Sequence, residues 1–269
     1  MDRRILFLAA ASFATGTEAY VYAGHLTALA ADLNQPVATA GQLASVFALT
    51  YALTAPIIAG VAGRFGRRGV MVTGLALIGF LNCLAALASS FEMLIAIRFA
   101  CGLAAGLVGP ITSLAAAELA PPEQRGRAMA VVLAGITLAF VLGIPTGSVV
   151  GDFFGWRGTF VYAGLLALVA AILIRTGLPA MPGGAPLKAD AFKAALQPAV
   201  AAPLLLTLAG FAATFTVIAY VGPIVTAISG LTGSGIGAMQ ALIGVGSIAG
   251  IMLGGRAADR PGTRRFLAN

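Results

Sequence analysis

The sequence is poor in charge: Asp, Glu, Lys and Arg make up only 9% of its 269 residues. A soluble domain carries roughly a quarter charged residues, so this chain could not cover a water-facing surface. Groups for catalysis are equally scarce, with one histidine, two cysteines and no H-E-x-x-H motif. Because the apolar runs hold no cluster of His, Cys or carboxylate groups, we predict no metal site, no cofactor and no enzymatic activity.

Apolar residues and glycine dominate instead. Hydrophobic residues make up 59% of the chain, 35 residues are glycine, and the mean hydropathy is +0.99. The formal net charge of +7 could indicate nucleic acid, but the basic residues lie in short clusters between apolar runs, as membrane topology signals do. We therefore predict a multi-pass protein of the lipid bilayer with no nucleic-acid partner. Cys83 and Cys101 lie in apolar runs and are interpreted as buried small residues.

Eight apolar segments are long enough to cross a bilayer, which takes about 20 residues of helix. The spans are predicted at 5–31, 37–60, 69–89, 93–117, 128–151, 159–176, 199–227 and 235–254. The first follows Arg3 and Arg4, as a signal peptide would. It is too long for one and seven more spans follow, so we predict a retained helix.

The basic residues predict the orientation. Fourteen of the 16 Lys and Arg residues fall on one side of the eight spans. The other two are Arg157, on the opposite side, and Arg98, inside a span. Since Lys and Arg are retained on the cytoplasmic side during insertion, we expect both chain ends in the cytoplasm and the protein in the cytoplasmic membrane.

The longest connection, residues 179–198, is rich in Pro and Gly and is predicted to be a cytoplasmic linker. It divides a six-helix unit, residues 1–178, from the start of a second unit, residues 199–269. A repeat at an offset of 196 residues supports this division. The matching positions are Arg64 with Arg260, Gly66 with Gly262 and Arg68 with Arg264. By that offset, about four helices of the second unit are expected to be missing from this chain.

Several motifs resemble signatures of the major facilitator superfamily. The loop GRFGRR at 63–68 resembles G-x-x-x-D-R-x-G-R-R, although Ala59 replaces the first glycine and Gly63 the aspartate. The copy in the tail keeps both, as Gly255 and Asp259. In the fourth span, RFACG at 98–102 looks like the second signature, R-x-x-x-G.

Two further motifs are similar to a narrower group. GIPTG at 143–147 in the fifth span looks like the antiporter signature, in its G-x-P-x-G form. GTE at 16–18 and LAADL at 29–33 in the first span are similar to the arabinose and sugar efflux permeases of the drug:proton antiporter branch. The resemblance covers essentially the whole chain.

The resemblance implies an all-α integral membrane fold of the major facilitator type. It would comprise a six-helix N-terminal half and the first two helices of the C-terminal half. The implied function is secondary active transport, as proton-coupled efflux of small organic molecules such as sugars or drugs, with no obligate protein partner. The alternative is a truncated membrane fragment of such a transporter that does not transport.

Glu18 is the one carboxylate deep inside a predicted span. An ionised group at that depth is costly and usually functional, which predicts a proton carrier; a structural ion pair is the alternative. Arg98 also needs a partner at its depth, and the resemblance links its position to proton coupling through the first helix. We expect Glu18 to be that partner, unless Arg98 reaches the membrane surface instead.

Thr15, Glu18, Tyr22 and His25 recur every three or four residues and share one helix face. Lipid would not accept this polar stripe, so it should line the central cavity or pack on a neighbouring helix. Thr15, Tyr22 and His25 are therefore candidates for the cavity, together with Tyr220 in the seventh span. His25 could serve either in interhelical hydrogen bonding or in proton transfer.

Two rows of glycine recur every four residues, and each lets another backbone approach closely. The rows are Gly143, Gly147 and Gly151 in the fifth span and Gly246, Gly250 and Gly254 in the eighth. The resemblance implies that these helices meet between the two halves, so the rows would form a sliding surface for alternating access. Tight packing without motion is the alternative.

The arginine-rich loop and its repeat are candidates for gating. The residues concerned are Arg64, Gly66, Arg67 and Arg68, with Asp259 and Arg260 in the tail. They could act only as topology anchors. Their repeated spacing favours a second role, bracing helix ends in one gating state.

Overall fold

The computed structural model of the protein describes residues 2–62, 65–183 and 197–258, and those residues form helices and connecting turns without a β-strand. The α-helices are α1 Arg4–Tyr20, α2 Leu26–Asp32, α3 Val37–Ala40, α4 Gln42–Ala62, α5 Arg67–Ala85, α6 Phe91–Gly106, α7 Gly109–Leu119, α8 Arg125–Leu138, α9 Ile144–Gly177, α10 Pro198–Ala219, α11 Val221–Ser229 and α12 Ser234–Ala258. A helix satisfies its own backbone groups, which lipid cannot do, so these long apolar runs become helices.

These helices combine into eight membrane-length segments. Four are long apolar stretches: Arg4–Asp32, Val37–Ile57, Arg67–Ala85 and Phe91–Leu119. The next stretch, Pro122–Gly177, has 56 residues, more than twice what the roughly 30 Å hydrocarbon core requires. It forms two segments with a kink at Gly155, where φ is +69°. The predicted all-α fold of about eight spans is confirmed.

The last two segments differ in detail from the sequence prediction. The predicted seventh span, 199–227, is a pair of helices, Leu204–Ala219 and Val221–Ser229, bent by 58°. The eighth contains a shorter apolar stretch, Ser234–Gly250, within α12. The fifth span also contains a π-helical turn, Ala139–Gly143, which ends two residues before Pro145. Proline lacks an N–H and cannot continue the regular ladder, which accounts for a break at this place.

Small residues bring the first six spans together. A Cβ on Gly79 would lie 3.1 Å from the carbonyl oxygen of Gly164, and one on Gly164 would lie 2.9 Å from that of Gly79. These two backbones therefore hold α5 against α9 at close range. A Cβ on Gly102 would lie 2.8 Å from the backbone oxygen of Phe47, and it joins α4 to α6 in the same way.

The two sides of the bundle are named here by their residues. The basic side carries the start of α1 at Arg4, the start of α5 at Arg67 and the start of α8 at Arg125. The opposite side carries the connections at 33–36, 86–90 and 230–233. Of the predicted linker 179–198, residues 184–196 lie outside the described residues.

Candidate functional site

A buried ion pair joins α1 to α6 in the middle of the first six spans. Arg98 Nη1 donates to Glu18 Oε1, and both side chains are completely buried. Arg98 Nη2 also donates to the backbone oxygen of Ala19, at 3.0 Å. The structure thus brings together the two residues that the sequence singled out for proton coupling.

Aromatic rings and one amide surround this pair. The guanidinium carbon of Arg98 lies 4.5 Å from the ring centre of Phe47 and 5.2 Å from that of Tyr22. Both distances fall in the range of a cation–π contact. Asn82, on α5, donates from Nδ2 to Ile78 O at 2.9 Å and reaches Glu18 Oε1 at 3.4 Å.

Sequence reasoning missed Asn82 and Phe47. A signal for Asn82 existed, because an amide inside an apolar span must find a hydrogen-bond partner. Phe47 gave no signal, since an aromatic residue is ordinary in a membrane helix.

The polar cluster holds more hydrogen-bonding capacity than it uses. Within the described part of the chain, Glu18 Oε2, Tyr22 Oη, Asn82 Oδ1 and Arg98 Nε are buried and have no hydrogen-bond partner. Buried polar atoms usually have partners, so such a group of exceptions suits a site that changes its bonding. Chemically, Glu18 Oε2 can take up a proton while Oε1 keeps its contact with Arg98.

A cavity of about 480 Å³ lies next to the ion pair, between the first, second, fourth and fifth spans and α10. Its lining is mostly apolar and aromatic: Ser12, Thr15, Gly16, Ala19, Tyr20, Phe47, Ala48, Tyr51, Ala105, Gly109, Pro110, Ser113, Val132, Leu133, Ile136, Phe140 and Phe215. Phe47 belongs both to this lining and to the aromatic contacts of Arg98. The side chain of Phe47 therefore lies between the cavity and the buried guanidinium of Arg98.

The predicted cavity residues lie in four different environments. Thr15 lines the cavity. Tyr22 is buried against Arg98 and Phe160. His25 lies against Asp152, with Nε2 3.5 Å from Oδ1. Tyr220 donates from its hydroxyl to Ala38 O at 3.2 Å, on the opposite side.

Comparison with known proteins identifies the family. The sequence model described as Major Facilitator Superfamily matches residues 6–268. The chain belongs to the Major Facilitator Superfamily. It is 36% identical to the chloramphenicol resistance protein of Streptomyces lividans over 266 residues, which cover 97% of this chain and 68% of that protein. It is 30% identical to the inner membrane transport protein YdhP of Escherichia coli K12, covering 95% of this chain and 66% of that one.

Solved structures share the fold. A bacterial homologue of the human lysosomal transporter Spinster, inward-facing and occupied, matches with a TM-score of 0.81 at 20% identity, covering 97% of this chain and 62% of that one. A D-xylose–proton symporter matches with a TM-score of 0.69 at 18% identity, covering 95% of this chain and 68% of that one. The chain thus spans about two thirds of the length of these relatives. YdhP, the Spinster homologue and the symporter are described as transport proteins, in agreement with the sequence prediction.

The glycine row of the fifth span, Gly143, Gly147 and Gly151, faces α1 and the helical turn that follows it. A Cβ on Gly143 would overlap Thr17, one on Gly147 would overlap Val21, and one on Gly151 would overlap His25. This glycine row therefore packs against the first span, whereas the resemblance implied that it packs against the eighth.

The second glycine row faces away from the described helices. No heavy atom lies within 4 Å of a Cβ built on Gly246 or Gly250, and the surroundings of Gly254 lie outside the described side chains. Two other glycines of α12 contact the fifth span instead. A Cβ on Gly237 would lie 3.1 Å from Pro145 O, and one on Gly244 would lie 2.8 Å from a methyl of Val141.

The superfamily loop at the start of α5 is tied to two other helix ends. Arg67 pairs with Glu118, at the end of α7. Arg68 Nη1 donates to Leu178 O at 3.0 Å, just after α9. The backbone N–H of Arg67 donates to Met181 O at 3.1 Å, and Gly66 lies beside the same carbonyl. The other gating candidates, Arg64, Asp259 and Arg260, lie outside the described residues.

Proposed function

We propose that the chain works in proton-coupled export of small organic molecules, with Glu18 as the proton-binding group and Arg98 as its partner. The observation that carries the proposal is the fully buried Glu18–Arg98 pair beside the aromatic cavity. Membership of a transporter family supports it.

The free-energy cost of burying the Glu18–Arg98 pair favours a functional role for these two residues. Taking two charges out of water is costly, and an apolar replacement of such a pair is often as stable or more stable. A pair that only held helices together could be replaced by leucine and alanine. Ionisable groups inside membrane spans instead mark substrate paths and proton sites.

The geometry supports coupling between proton and substrate. Ala19 belongs to the cavity lining, and its carbonyl oxygen accepts a hydrogen bond from Arg98. Phe47 lies between the cavity and the guanidinium. A proton on Glu18 would weaken the hold on Arg98, and both Phe47 and the backbone at Ala19 would be free to adjust.

The cavity favours a neutral molecule that carries an aromatic or other apolar group. Its volume of about 480 Å³ falls within the range of small-ligand sites. Among the described lining residues, hydroxyl groups are the only polar side chains and none is charged. The name of the Streptomyces lividans relative, a chloramphenicol resistance protein, agrees with this class. Of the two classes expected from the sequence, drugs are therefore favoured over sugars.

The proposed location is the cytoplasmic membrane, with both described ends of the chain at the cytoplasm. Fourteen of the 16 Lys and Arg residues support this orientation. Ser12, Tyr51, Ser113 and Val132, which line the cavity, belong to the parts of their spans nearest the basic side. Substrate would then enter the cavity from the cytoplasm.

The test compares Glu18→Gln with Glu92→Gln, an exposed carboxylate at the start of α6. Each is assayed in vesicles for proton-driven export of chloramphenicol. Both variants are made in two forms of the protein. One is the chain of 269 residues, and the other is the same chain fused to the last third of the Streptomyces lividans relative. We expect Glu18→Gln to abolish proton-driven export and Glu92→Gln to leave it unchanged. Equal export by Glu18→Gln and wild type would refute the role of Glu18.

A further inference from the structure

Asp152, on the opposite side, connects the first six spans to the last helix. Asp152 Oδ2 accepts a hydrogen bond of 2.5 Å from the backbone N–H of Ser234, the first residue of α12. Its other oxygen, Oδ1, lies 3.5 Å from His25 Nε2, just before α2. The carboxylate is therefore in contact with the first, fifth and eighth spans at once.

A second polar contact lies one helical turn deeper. Ser148 Oγ donates to Gln240 Oε1 at 2.7 Å, and both side chains are buried. On α12, Gly237 lies between Ser234 and Gln240 and packs on the carbonyl oxygen of Pro145. Buried hydrogen bonds between membrane helices resist separation, because a parted donor or acceptor would meet lipid.

The local backbone is built around the Asp152 carboxylate. Gly233 has a φ of +50°, which a residue with a side chain rarely adopts, and a Cβ there would overlap the carboxylate of Asp152. The carboxylate also sits at the N-terminus of a helix, where free N–H groups and the helix dipole favour a negative charge.

We propose that Asp152, with Ser148 and Gln240, forms a clasp that keeps the opposite side closed. The clasp joins a span of the first unit to a helix of the second, so opening on this side must break both hydrogen bonds. Closure on this side then depends on the contact between Asp152 and Ser234. The inference rests on the proposed transport function only in identifying the open state as a step of the transport cycle.

The clasp is tested by measuring the distance between the two units in the chain reconstituted in lipid. Spin labels are placed at Leu87→Cys and Ile228→Cys, which are 74% and 83% exposed on the opposite side, after Cys83 and Cys101 are replaced by alanine. Double electron–electron resonance then reports the populations of short and long distances. This measurement needs neither substrate nor a proton gradient. It therefore tests the clasp alone, whereas the export assay tests the transport function.

Asp152→Ala should raise the ratio of long to short distances by about tenfold or more, as expected from losing a charge-assisted hydrogen bond. Asp152→Asn should have a smaller effect, because its amide oxygen can still accept from Ser234. The matched control is Asp32→Ala, which removes a carboxylate on the same side whose hydrogen bonds, within the described residues, come from Trp156 and Arg157 of the first unit. It should leave the distances unchanged.

Gly233→Ala tests the clasp from the second unit, because its methyl group displaces the carboxylate without removing it. It should open the same side as Asp152→Ala does, and it keeps the test decisive if Asp152→Ala fails to fold. Distances that stay unchanged in Gly233→Ala and in every folded Asp152 variant would overturn the proposal. An equal opening in Asp32→Ala would overturn it as well.

Discussion

Removing Arg98 alone should destabilise the protein more than replacing both members of the buried pair. Arg98→Ala leaves the Glu18 carboxylate without the guanidinium, in a place from which water is excluded. Glu18→Gln keeps an oxygen that can accept from Arg98 Nη1 but removes the compensating charge. In the double variant Glu18→Gln/Arg98→Met, neither of these two positions carries a charge and the methionine fills much of the arginine volume.

The expected magnitudes follow from the burial of the pair. Breaking a buried pair by removing one partner costs about 3–5 kcal/mol. Arg98→Ala should lie at the upper end of that range, because it also removes the hydrogen bond to Ala19 O and the contacts with Phe47 and Tyr22. The double variant should be less destabilised than Arg98→Ala, since a neutral replacement of a buried pair is often tolerated. In the cycle of Glu18→Gln, Arg98→Met and their double variant, the two single effects should not add, and the coupling energy should be about 2 kcal/mol or more.

The assay is reversible unfolding of the chain in mixed micelles, followed by far-ultraviolet circular dichroism. The same cycle on Asp32 and Arg157 is the matched control, because that ion pair has half-exposed side chains. Water stabilises each charged partner of the Asp32–Arg157 pair. The coupling energy of this pair should therefore be several times smaller than that of Glu18 and Arg98. Additive effects of Glu18→Gln and Arg98→Met would refute the reasoning, and so would equal coupling energies for the two pairs.

Two further predictions concern topology and packing. Cysteines introduced at Asn34 and Ser229 should react from outside the cell with a membrane-impermeant thiol reagent, and a cysteine at Gly184 should not; labelling of Gly184→Cys alone would reverse the proposed orientation. Gly102→Leu should lower the free energy of unfolding by about 1–3 kcal/mol, because its Cβ would lie 2.8 Å from the backbone of α4. Gly126→Leu, at a position with no neighbour within 4 Å, should have little effect in the same unfolding assay.

Much of the fold could be predicted from the sequence because its signals are strong and local. A span needs a long apolar run, and the runs at 5–31 and 69–89 contain the helices α1 and α5 almost completely. The partnership of Glu18 with Arg98 was also predictable, because two charges inside a bilayer need each other. The bend of 58° after Ala219 was missed, although a signal existed: Pro223 has no N–H to donate to the carbonyl oxygen of Ala219.

Contacts between helices were harder to predict, because they depend on rotation about each helix axis. The row at Gly143, Gly147 and Gly151 indicated a close approach, but the glycines alone cannot say which helix approaches. The structure shows that the first span does. Asp152 escaped attention for a related reason. At a helix end it resembles any surface carboxylate, and its importance depends on Ser234, more than 80 residues later.

The first span links the two polar centres of this protein. Glu18 binds Arg98 near the middle of the first six spans, and His25, two helical turns later, contacts Asp152 on the opposite side. Between them, a Cβ on Gly143 or Gly147 would overlap the first span at Thr17 or Val21, so the fifth span holds this segment along its length. A shift of the first span on release of Arg98 would therefore move His25 against Asp152. The proposed proton site at Glu18 and the proposed clasp at Asp152 then both contact the first span, and the double variant Glu18→Gln/Asp152→Ala should show distances that are not the sum of the single effects.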